Sequence, residues 1–530
     1  MGFAGFITVK YSASVEPAFG KWAGGVALSN PFKIILGPLL ACFFVGSSHA
    51  MGRILWTRLG GSIEFPTPGA EFTLLSAVGI AFQAVIGWVL LAVGWLPGGL
   101  LFILGIVAIL AELTPTVDNL RSTLSPPSSE GDAFSRKTLT WLMALPLIFL
   151  SVTPFTWGIP ELPGYLTDPA ASFKLALGHI PLGLGIPLYS IYSTIGGPWA
   201  ANAVTLGLTW LIILMILDTA LRLFASRPAG LLGAILYLCI PFQYLLLSAP
   251  SWDIVLAFFL VASYSALVWF LFEGKFEAIP LAALLLGLAL SVSARGIIFA
   301  GIFFLYVIIS CIKQFAVRPL RAVAVIVTFI ISTALGASLL AVQNNYLTGN
   351  WLYPIFTNPQ NAIEFKIPEP AAPKWPDYRV SKAKPIPADT LIGVDFPTEY
   401  GSFPGVGYKM TMSTDGDLSA GPQGLGPFFM AFIPGILLLM ITRRHTLQAW
   451  TLILLLLGGY LFWAYAGRIV SLYMLYAIFP FQALITGYII DRLYLLSKLE
   501  EKRKMSYIFL ILFIPAALLT FLWICPGFGL

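Results

Sequence analysis

The sequence predicts an all-α polytopic integral membrane protein, and three observations predict it. The first is composition: 58% of the 530 residues are hydrophobic, 10% are charged, and the mean hydropathy is +0.88. A soluble domain carries about 25% charged residues because water must solvate its surface. The second is the recurrence of apolar segments near the length of about 20 residues that a membrane-crossing helix needs. The third is the confinement of most Lys and Arg to short connections between those segments, on alternating sides.

The segments come in order. Apolar runs at 33–50, 74–94 and 97–113 form an N-terminal group of three. A polar stretch at 114–138, with SPPSSEGD at its centre, reads as a linker. Beyond it lie runs at 139–157, 204–224, 229–247, 252–273, 278–293, 296–313 and 322–343, then 425–441, 448–466, 469–490 and 507–524. The prediction is therefore about fourteen spans, about eleven of them beyond the linker. With the N-terminus outside, eighteen of the thirty Lys and Arg fall in cytoplasmic connections, and Lys10, Lys21, Lys33, Lys174, Arg295 and Arg468 fall outside. The other six lie in one long outer loop, which crosses a membrane largely regardless of its charge. Reversing the chain inverts this asymmetry. Met1–Asn30 has no continuous apolar core ending in a small-residue cleavage site, so no cleaved signal peptide is expected and the first span serves as the targeting signal. The localisation this implies is multi-pass in a plasma (inner) membrane.

Two outer segments exceed what a connector needs. The first, 158–203, is apolar enough to lie at the interface as short amphipathic helices. The second, 344–424, is rich in Pro, Lys and Asp and is expected to form an extracytoplasmic lid. The chain thus divides into an N-terminal membrane extension with its linker (1–138), a transmembrane core (139–343), the outer loop (344–424) and C-terminal helices (425–530).

Charge near a membrane core is expensive and marks pathways or sites. Glu161 and Asp168 lie in the first outer loop, Asp253 opens a span in SAPSWDIVLAFF, and Arg295 and Arg468 sit in SVSARGIIF and WAYAGRIVSLY. The topology brings all five to the outer side. A guanidinium suits phosphate because its fork donates several hydrogen bonds, and a carboxylate can take a proton from an attacking hydroxyl. The combination fits group transfer from a phosphorylated lipid. Each residue also has a plainer reading. Asp253 and Asp168 suit the first turn of a helix, the two arginines can snorkel to head groups, and Glu161 sits in a Pro-bounded loop. His49, His179 and His445 share no metal spacing, and Cys42, Cys239, Cys311 and Cys525 contain no C-x-x-C pair. No metal site and no cofactor are expected.

From about 139 to 490 the chain resembles the GT-C glycosyltransferases, the superfamily of the protein O-mannosyltransferases and lipid A aminoarabinose transferases. Four stretches carry the resemblance. YLTDPAASFKLALGHIPLG holds Asp168 in a first outer loop. SWDIVLAFFLVASYSALVWFLFEGK and LAALLLGLALSVSARGIIFAG form a helix pair that begins on Asp253 and ends on Arg295. NNYLTGNWLYP, with Asn345 and Tyr346, is similar to the opening of the family's large outer loop. GRIVSLYMLYAIFPFQALI, with Arg468 and Tyr473, looks like its Arg-Tyr-x-x-Pro-type helix. Here Ile469 follows the Arg, Arg295 stands where the family has Lys, and 1–138 falls outside the resemblance.

The resemblance implies a GT-C-like bundle and an inverting transfer from a polyprenyl-phosphate-linked sugar. Asp168 would activate the acceptor hydroxyl, Arg295 and Arg468 would hold the lipid phosphate, and Asn345 and Tyr346 would line the entrance. Asp253, Glu161 and Tyr473 complete the candidate substrate-binding set. The implied partners are membrane lipids, the lipid-linked sugar and a glycan, lipid or protein acceptor. Nucleic acid is not expected despite a formal charge of +6. Two other classes stay open: a transporter or flippase, for which Asp218 near the inner half of a span is the notable feature, and a non-catalytic subunit that binds partners through its N-terminal helices.

Overall fold

The computed structural model describes residues 31–59, 65–92, 98–124, 136–156, 184–196, 198–240, 243, 247, 251–293, 296–315, 319–348, 446–466 and 476–497. Among the described residues there are thirteen α-helices and no strand. They are α1 (Pro31–Arg58), α2 (Pro68–Ala92), α3 (Gly98–Leu124), α4 (Arg136–Thr156), α5 (Gly185–Gly196) and α6 (Pro198–Phe224). Then come α7 (Arg227–Leu238), α8 (Trp252–Glu273), α9 (Ala278–Val292), α10 (Ile297–Phe315), α11 (Pro319–Thr348), α12 (Thr446–Ala466) and, after a 3-10 turn at Tyr476–Ile478, α13 (Phe479–Ser497). Four of them open on proline, at Pro31, Pro68, Pro198 and Pro319. The first helical position has no partner for an N–H, so proline costs nothing there.

Among the described residues, six helices are long and apolar enough to cross a membrane: α1, α2, α3, α6, α8 and α11. The protein is an all-α, multi-pass membrane protein. α8 is apolar all round and buried on nearly every side, the mark of a central helix. α3 and α11 instead expose rows of Ile, Leu and Val, including Ile106, Leu110, Ile331 and Leu335, which suits a lipid-facing surface.

The hairpin expected over 74–113 forms two full helices, of 25 and 27 residues. One continuous cluster of buried side chains runs from Ala41 and Phe44 in α1 through α2, α6, α8 and α9 to Leu493 in α13. The N-terminal helices are joined to the rest at both ends of this cluster. Phe65, just before α2, stacks on Trp269 of α8 at 5.5 Å, and Phe44 meets Tyr192 of α5 edge-on at 5.3 Å.

Two expectations need correction. The segment 229–247 is not one span: α7 stops at Leu238, with Cys239 closing onto Ile235 and Leu236. Pro241 supplies the reason, since the residue before a proline avoids the helical region and the ring displaces an internal hydrogen bond. At twelve residues α7 is about 18 Å long, short of the roughly 30 Å hydrocarbon core. In the described part of 158–203 the short helix is α5, and it is packed inside the bundle rather than lying on its surface. Leu188, Tyr189, Ile191 and Tyr192 of α5 are buried within the bundle, and α6 already begins at Pro198.

The helix ends sort chemically. At one end Arg53 pairs with Glu71 (3.4 Å) and Glu112 (3.2 Å), and Asn119 donates to Glu71 at 2.9 Å. Pro115 explains why Glu112 reaches inward: α3 is kinked there, with Glu112 out of helical geometry. At the same end Arg222 pairs with Asp218 (3.6 Å) and Glu273 (3.1 Å), and Ser226 donates to Asp491 at 2.7 Å. This is the basic end, the one that the sequence reading expects on the cytoplasmic side. The opposite end holds tyrosines, serines and Asp253.

Candidate functional site

The opposite end is built from helices that begin or stop there. α5 packs against it through Tyr189, α6 and α8 start in it, α7 and α9 finish in it, and the 3-10 turn leads α13 out of it. Here the backbone is anchored by side chains. The Tyr189 hydroxyl donates to the Ser251 carbonyl at 2.8 Å, and accepts from the Ser251 N–H and the Thr205 hydroxyl, both at 3.2 Å. Ser251 is the residue from which α8 springs, so Tyr189 fixes the start of that helix. Burial pushes the Tyr189 hydroxyl above the ordinary tyrosine range, so it works as a neutral phenol.

Asp253 lies in the first turn of α8 and is 9% exposed. Helix N-termini favour a carboxylate, and Ser251 makes no side-chain cap of its own. Asp253 is close enough to Tyr189 and Tyr476 to act on both electrostatically. Across from it, the Tyr237 and Tyr476 hydroxyls share a hydrogen bond of 2.6 Å, which ties the end of α7 to the turn before α13. Gln243, beyond the end of α7, is fully buried.

A third contact set joins α9 to its neighbours. The Ser291 carbonyl accepts from Leu184 N–H at 3.3 Å. Its hydroxyl donates to the Gly336 carbonyl at 2.7 Å and accepts from Leu340 N–H at 3.4 Å. Leu184 follows the segment that contains Asp168, Ser291 precedes Arg295 by four residues in sequence, and Gly336 and Leu340 lie on the helix that continues to Asn345 and Tyr346.

Of the candidates read from sequence, Asp253 is the one whose side chain is described, and it is buried at this end. Asn345 and Tyr346 are in the last turn of α11, with side chains outside the described residues. Glu161, Asp168, Arg295, Arg468 and Tyr473 lie outside the described residues altogether. Among the described residues no group of three His, Cys, Asp or Glu side chains is placed to hold a metal. Sequence reasoning missed Tyr189, Tyr237, Gln243 and Tyr476. Gln243 offered a signal, as an amide set between Pro241 and Pro250 in an apolar stretch. The tyrosines offered none, because tyrosine is common at membrane interfaces anyway.

Asp218, the residue that suggested a transport pathway, has a structural explanation. It accepts from the Thr67 hydroxyl and pairs with Arg222, and Arg222 also bonds the Ser265 carbonyl at 3.0 Å. Thr67 in turn caps α2, accepting from Ala70 N–H at 3.0 Å. The charge is used to lock α2, α6 and α8 together at the basic end.

No family model and no curated protein matches the chain. Among solved structures, the chain is similar to the apo form of the Archaeoglobus fulgidus oligosaccharyltransferase, with 14% sequence identity and a TM-score of 0.39. The match covers 74% of this chain and 56% of that one, so this chain spans little more than half of its length.

Proposed function

We propose that the protein is a membrane glycosyltransferase of the GT-C type, moving a sugar from a polyprenyl-phosphate donor to an acceptor at the outer face of the plasma membrane. One observation carries the reading. Ser291, on the helix that leads to Arg295, bonds both the end of the segment holding Asp168 and the helix leading to Asn345 and Tyr346. Asp253 starts its helix at the same end, and the turn at Tyr476 follows directly on the stretch with Arg468 and Tyr473. The described neighbours of those segments, Leu184, Ser291, Gly336, Asp253 and Tyr476, lie at one end of the bundle, which supports the reading. That end is opposite the ion-paired basic one.

In this reading Asp168 takes the proton of the acceptor hydroxyl as its oxygen forms a bond to the anomeric carbon. The bond from that carbon to the phosphate oxygen breaks, and its electron pair leaves with the polyprenyl phosphate. Arg295 and Arg468 neutralise the charge that builds on the departing phosphate. Attack from the face opposite the phosphate inverts the anomeric centre. Asp253 and Glu161 serve substrate binding, and Asn345, Tyr346 and Tyr473 line the approach.

Native mass spectrometry of the purified protein tests the donor class, with farnesyl phosphate as the probe. The wild type is expected to retain it, and Arg295→Ala and Arg468→Ala to bind it at least tenfold more weakly. Equal retention by all three proteins contradicts the phosphate assignment.

A further inference from the structure

His49 lies within α1 and is fully buried, although an ionisable ring is costly at such a place. Its Nδ1 is 3.2 Å from the Phe72 carbonyl oxygen, near the start of α2. A carbonyl can only accept, so Nδ1 carries the hydrogen. In a neutral ring Nε2 is then a bare acceptor, and it is buried without a hydrogen-bond partner. The ring also stacks on the Phe72 ring at 4.6 Å, so two contacts tie α1 to α2 through it.

This setting cannot absorb a second N–H. In sequence His49 falls between Ser48 and Gly52, the two residues at which α1 meets Gly79 and Leu75 of α2 backbone to backbone. Protonation would place a charge and an unsatisfied donor at that contact. The charged groups on the helices packed around α1 do not answer it. Arg53, one turn along α1, is close enough to repel a second cation. Glu71 of α2 and Glu112 of α3 are already held by Arg53, and Asn119 also donates to Glu71. Asp118 and Arg121 of α3 are exposed, Asp218 and Arg222 of α6 pair with each other, and α4 has no acidic residue. Cation–π attraction to Phe72 offsets only a small part of the cost of burying an ion. Solvent is nonetheless near, because the Arg53, Glu71 and Glu112 side chains are partly exposed.

We propose that His49 is a proton-operated latch on the α1–α2 pair, closed while the ring is neutral and released when the ring takes a second proton. The effect reaches the rest of the bundle through α2. Gln83 of α2 donates to Ser48 at 3.0 Å and accepts from Tyr192 of α5 at 3.3 Å, and Thr67, just before α2, donates to Asp218 of α6. Release at His49 therefore loosens α1 from a helix that also holds α5 and α6. Because only an opened or unfolded chain can hydrate the charged ring, protons favour opening as the pH falls. The inference does not rest on the glycosyltransferase reading.

Hydrogen exchange of the full-length protein in detergent, corrected for the intrinsic effect of pH, tests the latch at about pH 8 and about pH 5, either side of the ordinary histidine range. Amides at 48–52 and 75–79 are expected to exchange at least fivefold faster at the acid pH, with the central helix α8 unchanged. His49→Asn, whose amide can donate to the Phe72 carbonyl but cannot take a proton, should lose that acid response. His49→Phe, which keeps the stack without a titrating group, provides the same comparison if the Asn variant folds poorly. A response in these variants equal to that of the wild type assigns the effect to Glu71 and Glu112 and overturns the latch. So does a wild type whose α1–α2 amides do not respond to pH. Should neither variant fold, the wild type decides: opening at α1–α2 ahead of α8 supports the latch, and equal opening throughout the bundle overturns it.

Discussion

Removing one member of the Asp218–Arg222 pair should cost more than removing both. Each side chain is about 3% exposed, and Arg222 also holds Glu273 and the Ser265 carbonyl. Arg222→Met strands a buried carboxylate, with an expected loss of about 3–5 kcal/mol. Adding Asp218→Asn should recover much of it, as read from chemical unfolding in detergent. A double variant no more stable than the single one would show that Arg222 acts by packing rather than by charge. At the other end Tyr189→Phe removes two hydrogen bonds with Ser251 and one with Thr205. At about 1 kcal/mol each, it should lower stability measurably and loosen the start of α8, where Asp253 sits. Hydrogen exchange at the first turn of α8 checks this: faster exchange is expected, and no change would mean that Tyr189 does not fix that helix start. The two ends also differ in how far they could be read from sequence. Asp253 stood out because a carboxylate opening an apolar run is rare. Tyr189 and Tyr476 did not, because their role depends on which helix ends meet.

Two glycine contacts set the spacing between helices. A Cβ on Gly79 would stand 1.8 Å from the Ser48 carbonyl oxygen, and one on Gly52 would stand 1.8 Å from the Leu75 oxygen, so α1 and α2 touch backbone to backbone. The Gly287–Gly336 contact between α9 and α11 is nearly as close. Helices in lipid associate through such small-residue contacts. Gly79→Leu should therefore destabilise strongly, by more than the usual 1–3 kcal/mol of overpacking, because the atoms in the way belong to backbone. Gly301→Leu, with open space at its Cβ, is the control and should be near neutral in thermal unfolding. Comparable losses from both would mean that the α1–α2 contact is looser than described. Element by element, the positions of α2, α8, α9 and α10 were legible from hydropathy, whereas α1 and α3 run on to Arg58 and Leu124, past the ends at 50 and 113 that hydropathy set and, for α3, into the stretch read as a linker. The break after α7 was legible in principle from Pro241, but an apolar run on either side of a proline reads as one span. The burial of α5 was not legible, since interfacial and buried short helices share the same composition.

The whole molecule has two chemically distinct ends, and the orientation proposed from its charge can be tested directly. In a background with all four cysteines replaced, Lys275→Cys lies in the exposed turn between α8 and α9 at the basic end. It should react with a membrane-impermeant maleimide after permeabilisation and not in intact cells, whereas labelling of intact cells would invert the topology. What composition and hydropathy made legible at this scale is the class of the protein. The candidate site was legible only as separate motifs, because Asp168, Arg295 and Arg468 are spread over 300 residues and only folding can bring their segments to one end. The most direct test of the account is the turnover of lipid-linked sugar in a strain lacking this chain, complemented with the wild type or with Asp168→Asn. Polyprenyl-phosphate sugar in the membrane fraction, quantified by mass spectrometry, should accumulate in the deletion strain and fall with the wild type. It should stay high with Asp168→Asn at equal protein level. Clearance by Asp168→Asn as complete as by the wild type would contradict the assignment of that carboxylate, and no accumulation in the deletion strain would contradict the transferase itself.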